Sequence, residues 1–314
     1  MIVLVTGASG FLGRHVVGEL LRQGHRVRAG VRAPLAPATC AAYGWSAAVE
    51  QVLCDIAVER GLAEACAGVD AVIHLAAAMT GSDEEKIEIA TAGTRRLLVA
   101  MPVSARLLLA SSFSVYDWDK IGADVVEDSP LLDGQTMLRH EGYARAKVLQ
   151  EETTRRLCGE RGIGLTVLRP ATVWSDSTGL PPCVGPKAGP LALVIAPDRP
   201  LRLTHVLNCA AAFVAALDAR AVGLTFNIDD GFVISAWDFA AMASGARRVP
   251  VAYGLAARLS ATAAWLLRPL LGGRKMPGLL IPERLRARFH RARSGHAALT
   301  AATGWRAAPK FVKI

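Results

Sequence analysis

Short apolar runs alternate with longer amphipathic stretches through the first half of the chain. Ile2 to Val5 is a strand-length run ending in Thr6-Gly7, after which Leu12, Val16, Leu20 and Leu21 recur at helical spacing until Gly24 closes the element. Val27, Ala29 and Val31 alternate with Arg26, Arg28 and Arg32, which predicts a second strand, although burial on both faces would favour a more apolar one. Further strands are predicted at Val49 to Leu53, Ala71 to Leu75, Arg106 to Ala110 and Leu165 to Leu168. Helices are predicted over Val58 to Cys66, Glu84 to Ala100 and about Tyr143 to Arg161. Such alternation implies right-handed crossovers and an α/β fold with a doubly wound parallel sheet.

After Pro170 the texture changes. Gly179 to Pro200 is rich in proline and glycine and has no clean period, which predicts an irregular, substrate-facing region. A helix at Val206 to Leu217 and a strand at Thr225 to Ile228 follow, then two or three helices to the end. With 314 residues, against ~100 to 200 for a typical domain, the expected division is a dinucleotide-binding unit over residues 1–170, with 204–228 returning to it, and a smaller, mostly helical substrate-binding region over 171–203 and 229–314.

Composition narrows the classes. Hydrophobic residues make up 52% and charged ones 20%, enough to bury a sizeable core. The formal charge of +9 owes much to Arg274 to Lys313, but with 6% aromatics there is no stacking platform among Arg284, Arg286, Arg288, Arg291 and Arg293. This excludes nucleic acid as the expected partner and leaves a solvated helix face, or a patch attracting an anionic cofactor or substrate. Six scattered cysteines, without a Cys-x-x-Cys pair or a neighbouring histidine at ligand spacing, predict reduced thiols, no metal site and a cytoplasmic protein. The start lacks the basic region of a signal peptide, and Leu259 to Leu267, bounded by Arg258 and Arg268, falls short of the ~20 residues of a membrane span. Gly254 to Gly273 reads as a core or substrate-pocket helix, with a membrane-surface helix as the alternative.

Ligands of such sheets bind beyond the carboxyl ends of the strands, so the residues to read are Gly7, Arg32, Asp55, Ala76, Ser111, Ser112 and Arg169-Pro170. Gly7-Ala8-Ser9-Gly10-Phe11-Leu12-Gly13 lies between first strand and first helix, where absent Cβ atoms let backbone amides approach a pyrophosphate. After the second strand an acid would suit a ribose 2′-hydroxyl and an arginine a 2′-phosphate; Arg32, with no carboxylate beside it, therefore points to NADP(H) in preference to NAD(H). Asp55 could bond the adenine amino group or cap the next helix. Tyr143 and Lys147, one helical turn apart, are an acid/base pair in which a cation can hold a phenol of pKa ~10 nearer neutrality. Ser111 or Ser112, after an apolar strand, could hydrogen-bond the substrate oxygen.

These motifs resemble those of the extended short-chain dehydrogenase/reductases, the NAD(P)-dependent epimerase/dehydratase family, including its 3β-hydroxysteroid dehydrogenase-type members. The resemblance rests on Thr6-Gly7 to Gly13, Asp55-Ile56, His74-Leu75-Ala76-Ala77, Ser111 to Tyr116, Tyr143 to Lys147 and Arg169 to Val173, and is loose beyond them. It implies a Rossmann-type domain, with Ser112 (Ser111 as the fallback), Tyr143 and Lys147 catalytic. It also implies that Lys147 binds the nicotinamide ribose and lowers the Tyr143 pKa. Gly7, Ser9, Gly10, Phe11, Leu12 and Gly13 would hold the cofactor. So would Arg32, Asp55, Ile56, Leu75, Ala76, Ala77, Ser111, Pro170, Thr172 and Val173, and the family usually forms homodimers through the helices near Glu84 and Tyr143. Three departures stand out: Ala90 where an asparagine is frequent, Asn208 where an aspartate is common, and Trp174-Ser175 in place of Tyr-Gly.

A sugar dehydratase would place an Asp-Glu pair where Phe113-Ser114 stand, which disfavours dehydration. A nucleotide-sugar epimerase needs groups to grip a diphosphate; Lys187, Arg199, Arg202 and Arg274 are candidates without a recognisable pattern. The leading expectation is a net oxidoreductase acting on a carbonyl or secondary alcohol of a small molecule, with Leu191 to Ala196 and Leu259 to Leu271 suited to an apolar pocket. A non-catalytic NADP-binding sensor is the third reading.

Overall fold

Four- to six-residue strands that send alternate side chains into two separate cores explain the architecture of the computed structural model, which describes residues 1–140, 142–231, 234–267 and 280–309. In chain order the elements begin β1 (Ile2–Thr6), α1 (Gly13–Arg22), β2 (Arg26–Val31), α2 (Pro37–Ala42), β3 (Glu50–Leu53), α3 (Leu62–Cys66) and β4 (Ala71–His74). Next come α4 (Asp83–Glu88), a π-helical turn (Ile89–Gly93), α5 (Thr94–Ala100), β5 (Arg106–Ala110), α6 (Gly134–Met137), α7 (Gly142–Arg161), β6 (Leu165–Pro170) and β7 (Thr172–Trp174). The remainder is β8 (Lys187–Ala188), β9 (Leu191–Ile195), β10 (Leu203–His205), α8 (Val206–Ala215), β11 (Thr225–Ile228), α9 (Ala236–Ala243), β12 (Arg247–Val251), α10 (Tyr253–Leu267), α11 (Pro282–Phe289) and α12 (Ala297–Thr303).

Seven strands form one parallel sheet in the order β11-β6-β5-β4-β1-β2-β3. Val3 and Val5 of β1 and Leu108 of β5 point into a core shared with α1 and α8, whereas Leu4 and Leu107 point into the opposite core with α3 and α5. The period-two pattern therefore serves both faces, as helices on each side of a Rossmann-type sheet require. The chain reverses direction across the sheet between β1 and β4, the switch point at which such sheets take their ligand. β7 pairs with β10, and β9 joins β8 and β12 in a small third sheet.

Several expectations change. Helix α3 starts at Leu62 rather than Val58, because Glu59 and Gly61 have φ of 57° and 73° and Asp55 and Arg60 pair as an isolated bridge. The Gly179 to Pro200 region, expected to be irregular, contains a hairpin, with Gly189 at φ 55° turning β8 into β9. Beyond β11 the described residues hold four helices and a strand, not two or three helices alone. Among Arg26, Arg28 and Arg32, only Arg28 is tied into the fold through its side chain. It pairs with Glu50 at 3.0 Å and donates to the carbonyls of Glu64, Ala65 and Ala67 at the end of α3, where a cation suits the helix dipole.

Candidate active site

The loop after β1 is shaped by what glycine omits. Gly7 takes a φ of 68°, and a Cβ there would lie 3.0 Å from the nitrogen and Cα of Ala76, so the loops after β1 and β4 meet backbone to backbone. At Gly13 a Cβ would fall 2.2 Å from the Gly7 carbonyl oxygen, so α1 can begin this close to the strand only without a side chain. The first turn of α1 has no side-chain cap. A close-packed glycine loop leading into an uncapped helix N-terminus fits the pyrophosphate of a dinucleotide. Ser9, Gly10 and Phe11 are exposed on this loop and Leu12 is half-buried.

Arg32 is exposed directly after β2. Arg60 reaches it from the turn after β3, donating from Nη2 to the Arg32 carbonyl at 2.8 Å. Asp55 accepts the Ala57 amide through Oδ1 at 3.0 Å in a local turn. The N-cap of α3 is Gly61, so Asp55 does not cap that helix. Ile56 is buried in the core beneath it, and Leu75 and Ala76 are half-buried with Ala77 exposed after β4.

Ser111 and Ser112 continue from β5 and have different partners. Ser111 donates to Glu151 Oε1 in the interior. Ser112 accepts the Ser114 amide at 3.2 Å and lies beside the Tyr143 phenol, whose ionisation it eases. Ser111, the fallback, is thus committed to Glu151. Tyr143 lies in the first turn of α7, where burial pushes its phenol above the usual tyrosine value and the Ser112 hydrogen bond works against that rise.

Lys147 is 4% exposed, and its Nζ donates to the Ala110 carbonyl at 2.6 Å and to Gln150 Oε1 at 2.9 Å. Burial pulls the ammonium down to about 8, against the opposing pull of the Glu151 carboxylate. The ammonium donates to the end of β5, and Ser112 eases the ionisation of Tyr143.

A model of the NAD dependent epimerase/dehydratase family matches residues 3–229. The chain belongs to that family. It is 28% identical over 241 residues to tetraketide alpha-pyrone reductase 2 of Arabidopsis thaliana, covering 68% of this chain and 73% of the relative. Over 258 residues it is 27% identical to a 3-beta-hydroxysteroid dehydrogenase of Mycolicibacterium neoaurum, covering 76% and 68%. It superposes with a TM-score of 0.71 and 21% identity on a short-chain dehydrogenase/reductase superfamily protein from Agrobacterium tumefaciens solved with bound NAD, covering 98% of this chain and 93% of that one. The last likeness is one of fold.

Two departures from this epimerase/dehydratase family have structural explanations. Asn208 clamps the chain after α12: its Nδ2 donates to the Ala308 carbonyl at 3.2 Å and its Oδ1 accepts the Ala308 amide at 3.0 Å, a two-way pairing that a carboxylate could not make. Trp174 is buried edge-on against His205 and Phe239, at 5.0 Å from each ring, and ties β7 into the C-terminal core.

On the C-terminal side, two of the four candidate diphosphate ligands, Arg199 and Arg202, are turned into the fold. Arg202 donates to the carbonyls of Ala287, His290 and Ala292 and stacks on Trp118 at 4.4 Å. Arg199, 1% exposed, donates to the Cys183 carbonyl and stacks on Phe289 at 5.2 Å. Arg274 lies outside the described residues. Within Leu191 to Ala196, Val194 is buried in one core cluster and Ile195 and Ala196 in another, while Leu191 is exposed.

Helix α10 is not a core helix: Leu255, Leu259, Trp265 and Leu266 are 53%, 59%, 75% and 54% exposed. Residues 268–273 of the expected Gly254 to Gly273 helix lie outside the described residues. No helix among the described residues is long and apolar enough to cross a membrane.

Three residues near the site carry no motif in the sequence. Arg60, Gln150 and Glu151 become visible once β3 approaches β2 and α7 packs on β5. The i, i+3 and i, i+4 spacings of Gln150 and Glu151 from Lys147 are the signal that could have marked the last two.

Proposed function

We propose that the protein is an NADP(H)-preferring oxidoreductase that interconverts a carbonyl and a secondary alcohol, with Tyr143 as the proton donor and acceptor. The observation that carries this reading is the approach of Ser112 to the Tyr143 phenol at the ligand edge of β5. The nicotinamide dinucleotide, when bound, supplies or accepts the hydride. The Gly7 to Gly13 loop would hold its pyrophosphate, Asp55, Ile56 and Leu75 to Ala77 its adenosine side, and Pro170, Thr172 and Val173 its nicotinamide side. Arg32 and Arg60 would take the 2′-phosphate. Residues 171–203 and 229–314 would form the substrate side.

Ser112 orients the substrate oxygen while Tyr143 gives it a proton or removes one. A tyrosine phenol, with its ordinary pKa of ~10, carries a proton at neutral pH and can give it to a carbonyl oxygen. Lys147, anchored to Ala110 and Gln150, would place a positive charge at the nicotinamide ribose.

Reduction is favoured over sugar epimerisation because Arg202 is turned to backbone carbonyls and the face of Trp118, and the buried Arg199 to the Cys183 carbonyl and the face of Phe289. The test is cofactor stoichiometry with a panel of apolar ketones and aldehydes. One NADPH consumed per alcohol formed supports the reading, whereas isomerised substrate with no net cofactor change overturns it. Tyr143→Phe should lose turnover by on the order of 10²-fold or more while still binding cofactor; unchanged turnover would remove Tyr143 from the mechanism.

A further inference from the structure

We infer that Gln150 is a positioning residue for the reaction, fixing both the place and the charge of Lys147 from behind; this rests on the reading of Lys147 as part of the catalytic group. Gln150 is 1% exposed and lies three residues beyond Lys147 on α7. Both ends of its amide are bonded. Oε1 accepts Lys147 Nζ at 2.9 Å, and Nε2 lies 3.0 Å from Thr94 Oγ1 and 3.2 Å from His74 Nε2.

Chemistry fixes which way the amide faces. An ammonium has only donors, so the amide oxygen must face Lys147 and the NH2 must face Thr94 and His74. The Thr94 hydroxyl spends its single proton on the Ala90 carbonyl at 2.6 Å, which leaves its oxygen free to accept one amide hydrogen. His74 Nε2 lies 3.2 Å from the amide nitrogen and 3.1 Å from Thr94 Oγ1, and its Nδ1 lies 2.7 Å from Thr6 Oγ1, so a neutral ring shares its one proton with Thr94 or with Thr6. Burial, reinforced by the Lys147 charge, pulls the His74 imidazole down to about 3, in keeping with that neutral ring.

The chain of bonds therefore runs from the active-site ammonium through α7 and α5 to Thr6, next to Gly7. An apolar side chain at 150 would leave the buried ammonium with the Ala110 carbonyl but without the amide acceptor, making the charged form harder to keep. A carboxylate at 150 would do the reverse. A residue that merely fills space would move neither.

The experiment compares kcat/KM against pH for the wild type, Gln150→Leu, Gln150→Glu and Tyr143→Phe, each with NADPH affinity measured as a check of folding. Loss of one hydrogen bond to a charged group should move the alkaline limb of Gln150→Leu down by about one pH unit, and Gln150→Glu should move it up. Limbs that coincide with the wild type in both variants, while Tyr143→Phe is inactive, overturn the role of Gln150 alone. An active Tyr143→Phe overturns the catalytic reading beneath it. If Gln150→Leu does not fold, the upward shift in Gln150→Glu decides.

Discussion

Glu151 and Arg169 form a doubly hydrogen-bonded ion pair, with Arg169 Nε to Glu151 Oε1 at 3.0 Å, Nη2 to Oε2 at 2.8 Å and both side chains 3% exposed. Burial would raise the Glu151 carboxyl, but the Arg169 hydrogen bonds and charge, with Ser111 and Arg155, hold it below the usual carboxylate value. The pair joins α7 to β6, and Arg169 passes the connection on to Tyr116 at 3.1 Å and the Glu127 carbonyl at 2.9 Å. Removing one partner strands a charge, so Arg169→Met should cost about 3–5 kcal/mol in urea unfolding, whereas Glu151→Leu with Arg169→Met should cost less than the sum of the two single changes. Additive losses would show that the two charges do not act as a unit.

The same pair separates the neighbouring serines. Ser111→Ala removes a hydrogen bond to Glu151 and should lower stability, with kcat largely retained. Ser112→Ala removes the partner of Tyr143 and should lower kcat by on the order of 10²-fold with little change in stability. Steady-state kinetics and thermal unfolding of both variants decide the matter. If Ser111→Ala proves the more damaging to kcat while still folded, the assignment of Ser112 fails.

Arg32→Ala and Arg60→Ala should each weaken NADPH binding by on the order of tenfold and leave NADH binding little changed, since each would lose one charge-assisted contact to a 2′-phosphate. Dissociation constants for the two cofactors, measured by titration, provide the comparison. Equal losses for both cofactors would argue against phosphate recognition at this edge.

Asp229, 3% exposed at the end of β11, accepts the Gly231 amide through Oδ1 at 2.7 Å. Burial above all raises its carboxyl to about 7. A group whose folded pKa lies above its unfolded value of ~3.9 binds its proton more tightly in the native state, so the fold loses stability as pH rises from about 4 to 7. Asp230, raised to about 6, acts with the same sign. Asp229→Asn keeps the acceptor for Gly231 and should raise Tm at pH 8 more than at pH 5. An equal change at both pH values would mean that ionisation of Asp229 is not what limits stability.

Local pattern carried the sheet and the glycine loop well, because both depend on short-range sterics. Short apolar runs marked β1, β4, β5 and β6, and Gly10 and Gly13 answered to clashes with Gly7 and Ala8 a few positions earlier in the chain. It failed where longer-range contacts decide. Leu191 to Ile195 is a strand because Arg247 to Val251 lies beside it, and the Arg60 guanidinium belongs with Arg32 because the end of β3 lies beside the end of β2.

The sequence by itself determined the family, the order of the main-sheet strands along the chain and the identities of Ser112, Tyr143 and Lys147 as the groups to examine, since these follow from residue types at fixed spacing. Only the tertiary structure decided that Ser111 is held by Glu151 and that Ser112 meets Tyr143. It likewise decided that Lys147 answers to Ala110 and Gln150. Hydrogen bonds between β5 and α7 join residues more than 30 positions apart in the chain. Their partners are chosen by how helix and sheet pack, and no local pattern encodes that choice.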